Sequence, residues 1–267
     1  GALTIADNIV DEANLKVSNS PSNGYVLTAQ SGNTGGLTWA VDAGGATSIN
    51  GLSDGHYNST SKSVGLGSGA LNSAGSSTYE NVAVGYQSLY TTSVNTTCTA
   101  IGYKALRLSV GSGNTAVGHE VLMNSTTGTS NVAVGIETMK SNTTGGSNTA
   151  IGKNSLTANT TASNNTAVGY YALKANTTAS YITGVGYQAL KLNTTGTANV
   201  ALGADALRQN LTGADNVAVG NNALALNTAS NNTAVGKDAL TANTTGDSNV
   251  AVGWKVLIAN TTGYYNN

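Results

Sequence analysis

The sequence predicts an all-β protein: a parallel β-solenoid, or β-roll, of twelve coils of about 17 residues, preceded by a short irregular β segment. Three observations predict it. The first is a repeated word, A-V-G. Its glycine falls at Gly67, Gly85, Gly102, Gly118, Gly135, Gly152, Gly169, Gly186, Gly203, Gly220, Gly236 and Gly253, in steps of 18, 17 and 16, then six of 17, then 16 and 17. The second is what stays constant between copies. Ala stands two before the glycine in ten copies and Gly in two (Gly65 and Gly184). The residue just before it is always Val, Ile or Leu. Leu stands four after it in eleven copies and Met139 in one. The third is composition. The chain of 267 residues holds 34 Gly, one Pro and no Phe, with 9% charged residues and a net charge of −1. Disorder goes with high net charge, whereas here apolar residues recur at fixed intervals, so the chain reads as ordered.

Seventeen residues cannot fold alone. One unit brings about four apolar side chains, too few to offset the entropy of ordering it. Each copy must bury its apolar positions against the next, as in a solenoid. Helical solenoids need periods above about 30 residues. A glycine and two Asn-containing turn signals in every 17 residues leave no room for two helices. Short strands with tight corners fit, each coil adding one strand at a rise of ~4.8 Å, so twelve coils span roughly 55–60 Å.

The elements follow in order. Residues 1–45 form an N-terminal attachment or connector segment. Within it "GYVLTAQSGNTGGLTWA" (24–40) reads as a hairpin around a Gly-rich turn, and "LTIADNIVDEANLKV" as a short helix or an extended arm. Residues 46–60 read as a Gly/Ser-rich linker. Residues 61–267 carry the repeat. Its strand is x-A-V-G, and neighbours along a strand point to opposite faces. Both Ala and Val are never polar, so both faces read as buried, one of them inside the coil. The small face then lies against something very close, most simply a sister chain. The ladder in question is Ala83, Ala100, Ala116, Ala133, Ala150, Ala167, Ala201, Ala218, Ala234 and Ala251. The A-L-x-x segment fits a strand or a single helical turn; periodicity does not separate them at this length. Asn142, Asn159, Asn176, Asn193, Asn210, Asn227, Asn243 and Asn260, seven after the glycine, read as a corner ladder whose amides cap their own turns and tolerate left-handed φ. Asn recurs again four before the glycine, with Ser63, Cys98 and Ile182 as exceptions. The glycine after N-T-T likewise suits positive φ.

Several function classes are disfavoured. Eleven Lys and Arg are spread thinly, which argues against a nucleic-acid partner. No apolar run approaches the roughly 18 residues of a membrane helix, so no membrane insertion is expected. The single Cys98 excludes an intrachain disulfide framework. His56 and His119 do not recur, and Cys98 fills a slot that is Asn in most copies, so no catalytic site is expected and the chain does not read as an enzyme. Asp205, Asp215, Asp238 and Asp247 stand singly and read as solvated surface, not metal ligands; no cofactor is expected. "GLGSG" (65–69) continues the repeat and opens no βαβ unit, so it is not a phosphate loop.

The positions just after the glycine vary, and aromatic residues collect there. Tyr86, Tyr103, Tyr170, Tyr187 and Trp254 are candidate glycan-binding residues, with Tyr171, Gln87 and Gln188 beside them. Exposed rings stack on sugars and amides hydrogen-bond them. The competing reading is that these rings cover coil corners or a seam between chains. The N-T-T and N-S-T triplets at Asn58, Asn95, Asn124, Asn142, Asn159, Asn176, Asn193, Asn243 and Asn260 match the N-glycosylation pattern, but the corner ladder explains their period without glycans.

The N-terminal string "IADNIVDEANLKVSNSPSNGYVLTAQSGNTGGLTWA" resembles connector and shaft segments of bacteriophage tail fibres, in particular those of marine and cyanobacterial phages. The "NTAVGYYALKANTTAS" units resemble repeats of such fibres. They are also similar to the head repeats of trimeric autotransporter adhesins, which share the small-apolar-Gly word. The resemblance covers nearly the whole chain. The longer coil, the N-T-T-G corner and the lack of a heptad stalk favour the phage fibre over the adhesin. It implies a parallel homotrimer on the virion, outside the cell. The N-terminal region would join other tail proteins, and the distal surface would meet a host surface polysaccharide. The expected function is therefore structural and adhesive. The alternative is a bacterial extracellular adhesin or a self-assembling cell-surface filament whose open strand edges pair end to end. An enzyme cutting host polysaccharide is a distant third, because no carboxylate pair at a suitable spacing is evident.

Overall fold

The computed structural model describes residues 25–29, 37–41, 55–58, 62–72, 80–91 and 96–267. The chain divides into two compact units, residues 1–52 and 53–267. In the first unit β1 (Tyr25–Ala29) pairs antiparallel with β2 (Leu37–Val41), Tyr25 opposite Val41 and Ala29 opposite Leu37. The arm at residues 3–17, read as helix or extended chain, lies outside the described residues.

The second unit is one 13-stranded sheet. It opens with β3 (Gly55–Asn58), which pairs antiparallel with β4 (Ser63–Leu66). The stretch read as linker, 46–60, thus contributes a strand. From β4 onward every pairing is parallel and in chain order: β5 (Val82–Val84), β6 (Thr99–Ile101), β7 (Thr115–Val117), β8 (Val132–Val134), β9 (Thr149–Ile151), β10 (Thr166–Val168), β11 (Thr183–Val185), β12 (Val200–Leu202), β13 (Val217–Val219), β14 (Thr233–Val235) and β15 (Val250–Val252). Twelve parallel strands, one per repeat, stack as a β-solenoid, and no helix occurs among the described residues. The register is that of the repeat itself: Ala150 stands over Ala167, and Ala201 over Ala218.

The strands place alanine inward. Their burial alternates, with the central Ala (Gly in β4 and β11) buried and its two neighbours turned outward. Ala and Val do point to opposite faces, but the inside is the reverse of the sequence expectation. Ala83, Ala100, Ala116, Ala133, Ala150, Ala167, Ala201, Ala218, Ala234 and Ala251 are sealed inside the coil of their own chain, so no sister chain is needed to cover them. The aliphatic residues beside them are half-exposed; Ile101 keeps 39% of its surface in solvent. The physical reason is the leucine four after the glycine. A Cβ placed on Gly184 would lie 3.3 Å from Leu173 Cγ, and one on Gly65 would lie 3.3 Å from a Leu71 methyl. A methyl fills what remains of that space; an isopropyl group does not. The core is one Leu or Met per coil flanked by small residues, among them Ala105, Ala172, Ala189, Ala206, Ala223 and Ala239 of a second alanine column.

The A-L-x-x segment is neither strand nor helix. It is a chain of tight turns. The Ser88 N–H donates to Gly85 O, the Lys140 N–H to Glu137 O, and the Asn142 N–H to Met139 O. In the first two turns the third residue, Gln87 or Met139, has positive φ (52° and 50°), the signature of type II. Positive φ falls at the repeat glycine, at two and four residues after it, and at five before the next one; it does not fall at the ladder asparagines or at the glycine after N-T-T. That corrects the sequence reading of both. The repeat glycine is required twice over. Gly152 has φ of 124°, and a Cβ there would stand 2.6 Å from Gly169 O in the next coil.

Both asparagine columns are buried, save Asn260 in the last repeat, and run through the interior. In the corner column the amides of Asn159, Asn176, Asn193, Asn210, Asn243 and Asn260 donate to the asparagine side-chain oxygen of the preceding coil, as Asn159 to Asn142 at 2.8 Å and Asn210 to Asn193 at 2.9 Å, and also to the carbonyl three residues on. In the second column each side-chain oxygen accepts the backbone N–H of the next coil, as Asn131 Oδ1 from Asn148 at 3.0 Å. Cys98 fits this slot because its thiol donates to Gly111 O (3.4 Å), much as the amide does elsewhere. Asn142, Asn159, Asn176, Asn193 and Asn243 are therefore fully enclosed and hydrogen-bonded, which withholds them from glycan transfer in the folded chain.

The narrow interior sets a measurable asymmetry. Ala167→Val should overpack the coil and lower stability by about 1–3 kcal/mol, whereas Thr166→Val on the outward face, a swap the repeat itself makes between copies, should change it by no more than about 0.5 kcal/mol. Urea unfolding followed by circular dichroism distinguishes them. Equal effects would mean that the alanine face is not the inside.

Candidate functional site

The outward columns are where chemistry varies from coil to coil, and the tight-turn segment displays them. The residue after the repeat glycine projects at the start of each chain of turns, and one coil's side chain stands over the next. The structure gathers the predicted aromatics into two clusters and one isolated ring. Tyr86 stacks on Tyr103 with centroids 5.5 Å apart and planes 14° from parallel. Tyr103 stacks in turn on His119 at 4.9 Å, so His119, which sequence reading set aside, extends this cluster. Ile136 and Lys153 occupy the column in the next two coils. Tyr170 and Tyr187 then form a second stack, 5.6 Å apart and 11° from parallel. Trp254 stands alone in the last repeat, 69% exposed, with Lys255 Nζ 4.8 Å from its ring.

Around the first cluster Lys104 Nζ lies 4.7 Å from the Tyr103 ring and Arg107 5.7 Å from that of Tyr90, and the second cluster is likewise edged by cations. Tyr171, at positive φ, tilts its ring 35° against Tyr170 with centroids 3.9 Å apart. Lys174 Nζ lies 4.4 Å and Lys191 Nζ 5.5 Å from the centre of the Tyr171 ring. Gln188 links the two columns: its amide donates to the Tyr187 hydroxyl at 2.8 Å, and its oxygen accepts from Lys191 at 3.4 Å. Tyr170 and Tyr187 keep 38% and 51% of their surface in solvent. A platform of rings edged by cations and an amide thus spans two neighbouring coils.

Elsewhere the columns two and five after the glycine form ordinary ion pairs, within a coil and between coils. Lys140 bridges Glu120 at 2.7 Å and Glu137 at 2.8 Å, and Asn154 donates to the other Glu137 oxygen at 3.0 Å. The hydrogen bond from Lys140 holds Glu137 below the usual carboxylate range, with Asn154 adding to it. Its contribution to stability is present above the unfolded carboxylate pKa and fades as pH falls through the lowered one. Since these side chains are partly solvated, it is worth no more than about 1 kcal/mol. Arg208 pairs with Asp205 at 3.4 Å in the same way.

Among the described residues no three His, Cys, Asp or Glu side chains gather to hold a metal ion. Cys98 is buried, and burial raises its thiol pKa against the opposing pull of backbone bonds from Asn114 and Gly113. A buried thiol of raised pKa is a poor nucleophile. No described helix is long and apolar enough to cross a membrane. Comparison with protein-family models, curated proteins and solved structures gives no match to this chain.

Tyrosine ionisation reports the second cluster directly. The Tyr170 hydroxyl donates to Tyr171 and lowers the Tyr171 pKa, and the positive charges of Lys174, Lys153 and Lys191 lower it further; the same bond raises that of Tyr170. Ultraviolet titration should therefore show an early-ionising tyrosine that disappears in Tyr171→Phe and shifts to higher pH in Lys174→Gln. A titration unchanged by both variants would refute this geometry.

Proposed function

We propose that this chain is a structural and adhesive protein, the shaft of an extracellular attachment fibre of the phage tail type, whose exposed ring clusters bind host surface glycans. The observation that carries this is the Tyr170–Tyr187 stack, two half-exposed rings held parallel 5.6 Å apart on adjacent coils. Coils that lock to one another through backbone and buried amides make a stiff scaffold, and rings carried on it are pre-positioned. Ring faces meet the apolar faces of sugars, and repetition along the fibre raises avidity without a single strong site. Support for a non-catalytic role comes from the buried thiol of Cys98 and from His119 being engaged in a ring stack.

The reading includes a parallel homotrimer, joined to other tail proteins through its N-terminal region and exposed on the virion. The face suited to a sister chain is the outward face of the sheet. Its ladder three before the glycine (Val64, Val82, Thr99, Thr115, Val132 and so on to Val250) holds only Val or Thr. The ladder one before it holds only Val, Ile or Leu. Neither carries a charge or an amide in any of the twelve repeats, whereas the columns just after the glycine carry both. Solvent does not demand that difference, and burial of aliphatic surface between chains accounts for it.

Two measurements test this. Light scattering should give three chains per particle, and Ile151→Lys should reduce that mass by placing a charge in the seam; a monomer in the unaltered chain would remove the trimer. Tyr187→Ala with Trp254→Ala should lower adsorption to host cells by at least about tenfold, as the loss of stacking on two rings implies. Unchanged adsorption would remove the ring-mediated attachment.

A further inference from the structure

The charge pattern around the second ring cluster narrows the class of glycan. From residue 138 to residue 204 the chain carries four lysines, Lys140, Lys153, Lys174 and Lys191, and no Asp or Glu. The carboxylates resume at Asp205. Within this window Lys140 is already engaged by Glu120 and Glu137. The other three have no carboxylate partner among the ion pairs of the described residues, and all three act electrostatically on Tyr171. Lys174 and Lys191 stand at the same position of consecutive coils, so they make a row of cations parallel to the Tyr170–Tyr187 stack. The column that bears these rings continues with Ala204, a small residue that sets no ring above Tyr187. The stack is therefore open on one side, with Lys191 held beside it through Gln188.

We propose that Tyr170, Tyr171, Lys174, Tyr187, Gln188 and Lys191 form a binding patch for an acidic polysaccharide, a polymer whose sugar rings carry carboxylates. The inference rests on the glycan-attachment reading and adds the ligand's charge to it. Sugar rings lie against the Tyr170–Tyr187 platform, while their carboxylates reach the ammonium groups of Lys174 and Lys191. The Gln188 amide supplies hydrogen bonds between them. The step between coils, ~4.8 Å, is comparable to the length of one pyranose ring, so ring and cation repeat in step with the polymer. A neutral glycan would use the rings and leave the lysines idle. A nucleic acid would find only short rows of cations in a chain of net charge −1.

The test uses the full chain and immobilised polygalacturonate, dextran and oligothymidylate of similar length, with binding measured at low and high salt. Polygalacturonate should bind at least tenfold more tightly than dextran, and salt should remove that advantage as it screens the lysine row. The double variant Lys174→Gln/Lys191→Gln should lose most of the preference for polygalacturonate and keep its dextran binding. Lys237→Gln, a cation exposed on another coil, should change neither. Dextran bound as well as polygalacturonate, no effect of the lysine variant, or tighter binding of oligothymidylate would each overturn the acidic-glycan assignment. Dextran binding that still falls in Tyr170→Ala/Tyr187→Ala would leave attachment through the rings standing. Glycan binding indifferent to the tyrosines would overturn both.

Discussion

Every coil holds four backbone positions at positive φ, and only one of them is always glycine. The others include the core leucine, or Met139 in one repeat, at φ near 50°. An L-residue in that region costs roughly 1–2 kcal/mol, so a free 17-residue segment would not choose this path. What holds it is the neighbouring coil. The Gln188 N–H donates to Tyr170 O in the coil before, the Leu190 N–H to Ala206 O in the coil after, and the Ser147 N–H to Thr129 O. The amides of these strained residues thus cross between coils. Local conformation is a property of the stack, and each coil is templated by the next.

That dependence explains which features were readable. Period, parallel pairing and the stacking of like on like follow from repetition, and the columns of Asn and Gly are visible as letters. The inward face was not. Ala and Val are both apolar in every copy, and hydrophobicity alone does not say which side is closed. Leu173 and its equivalents decide it, because the space they leave admits a methyl only. Residue type points left-handed φ to the corner Asn and the glycine after N-T-T, whereas bonds to neighbouring coils impose it on Leu, Gln and Tyr. The aromatic column was legible as a set of positions. Its division into two clusters was not, because Ile136 and Lys153 interrupt it, and the contact of Lys174 and Lys191 with Tyr171 depends on turns that periodicity left unresolved. The position of His119 is legible, but a histidine that does not recur carries no signal of the stack it makes on Tyr103.

The 16-residue coils show which contacts the stack can lose. Between Gly220 and Gly236 one corner residue is missing. There Asn227 turns its amide to Ala229 O at 2.8 Å, two residues on instead of three, and Asn210 Oδ1 is left buried without a partner. A buried acceptor left unpaired costs about 1–3 kcal/mol. Yet the strand register across that coil is unbroken, with Val217 beside Thr233 and Ala218 beside Ala234, and the corner ladder resumes from Asn243 to Asn227 at 2.7 Å. The asparagine ladders reinforce a register that the strands and the glycine column already set.

The same economy limits where function can be written. Inside, a change of one methyl group meets Leu or the next coil's backbone. On the outer sheet face only β-branched and aliphatic residues occur. The residues one, two and five after the glycine are different: they range over Tyr, His, Ile, Lys, Asp, Gln and Trp without disturbing register, because their side chains leave the coil. A protein of this kind can recognise a partner only through short rows of side chains spaced by the coil rise. Such rows suit a ligand that is itself a repeating chain, and among the described residues aromatic and cationic columns of neighbouring coils meet without a carboxylate in the same stretch of sequence at residues 153–191 and again at residues 86–107.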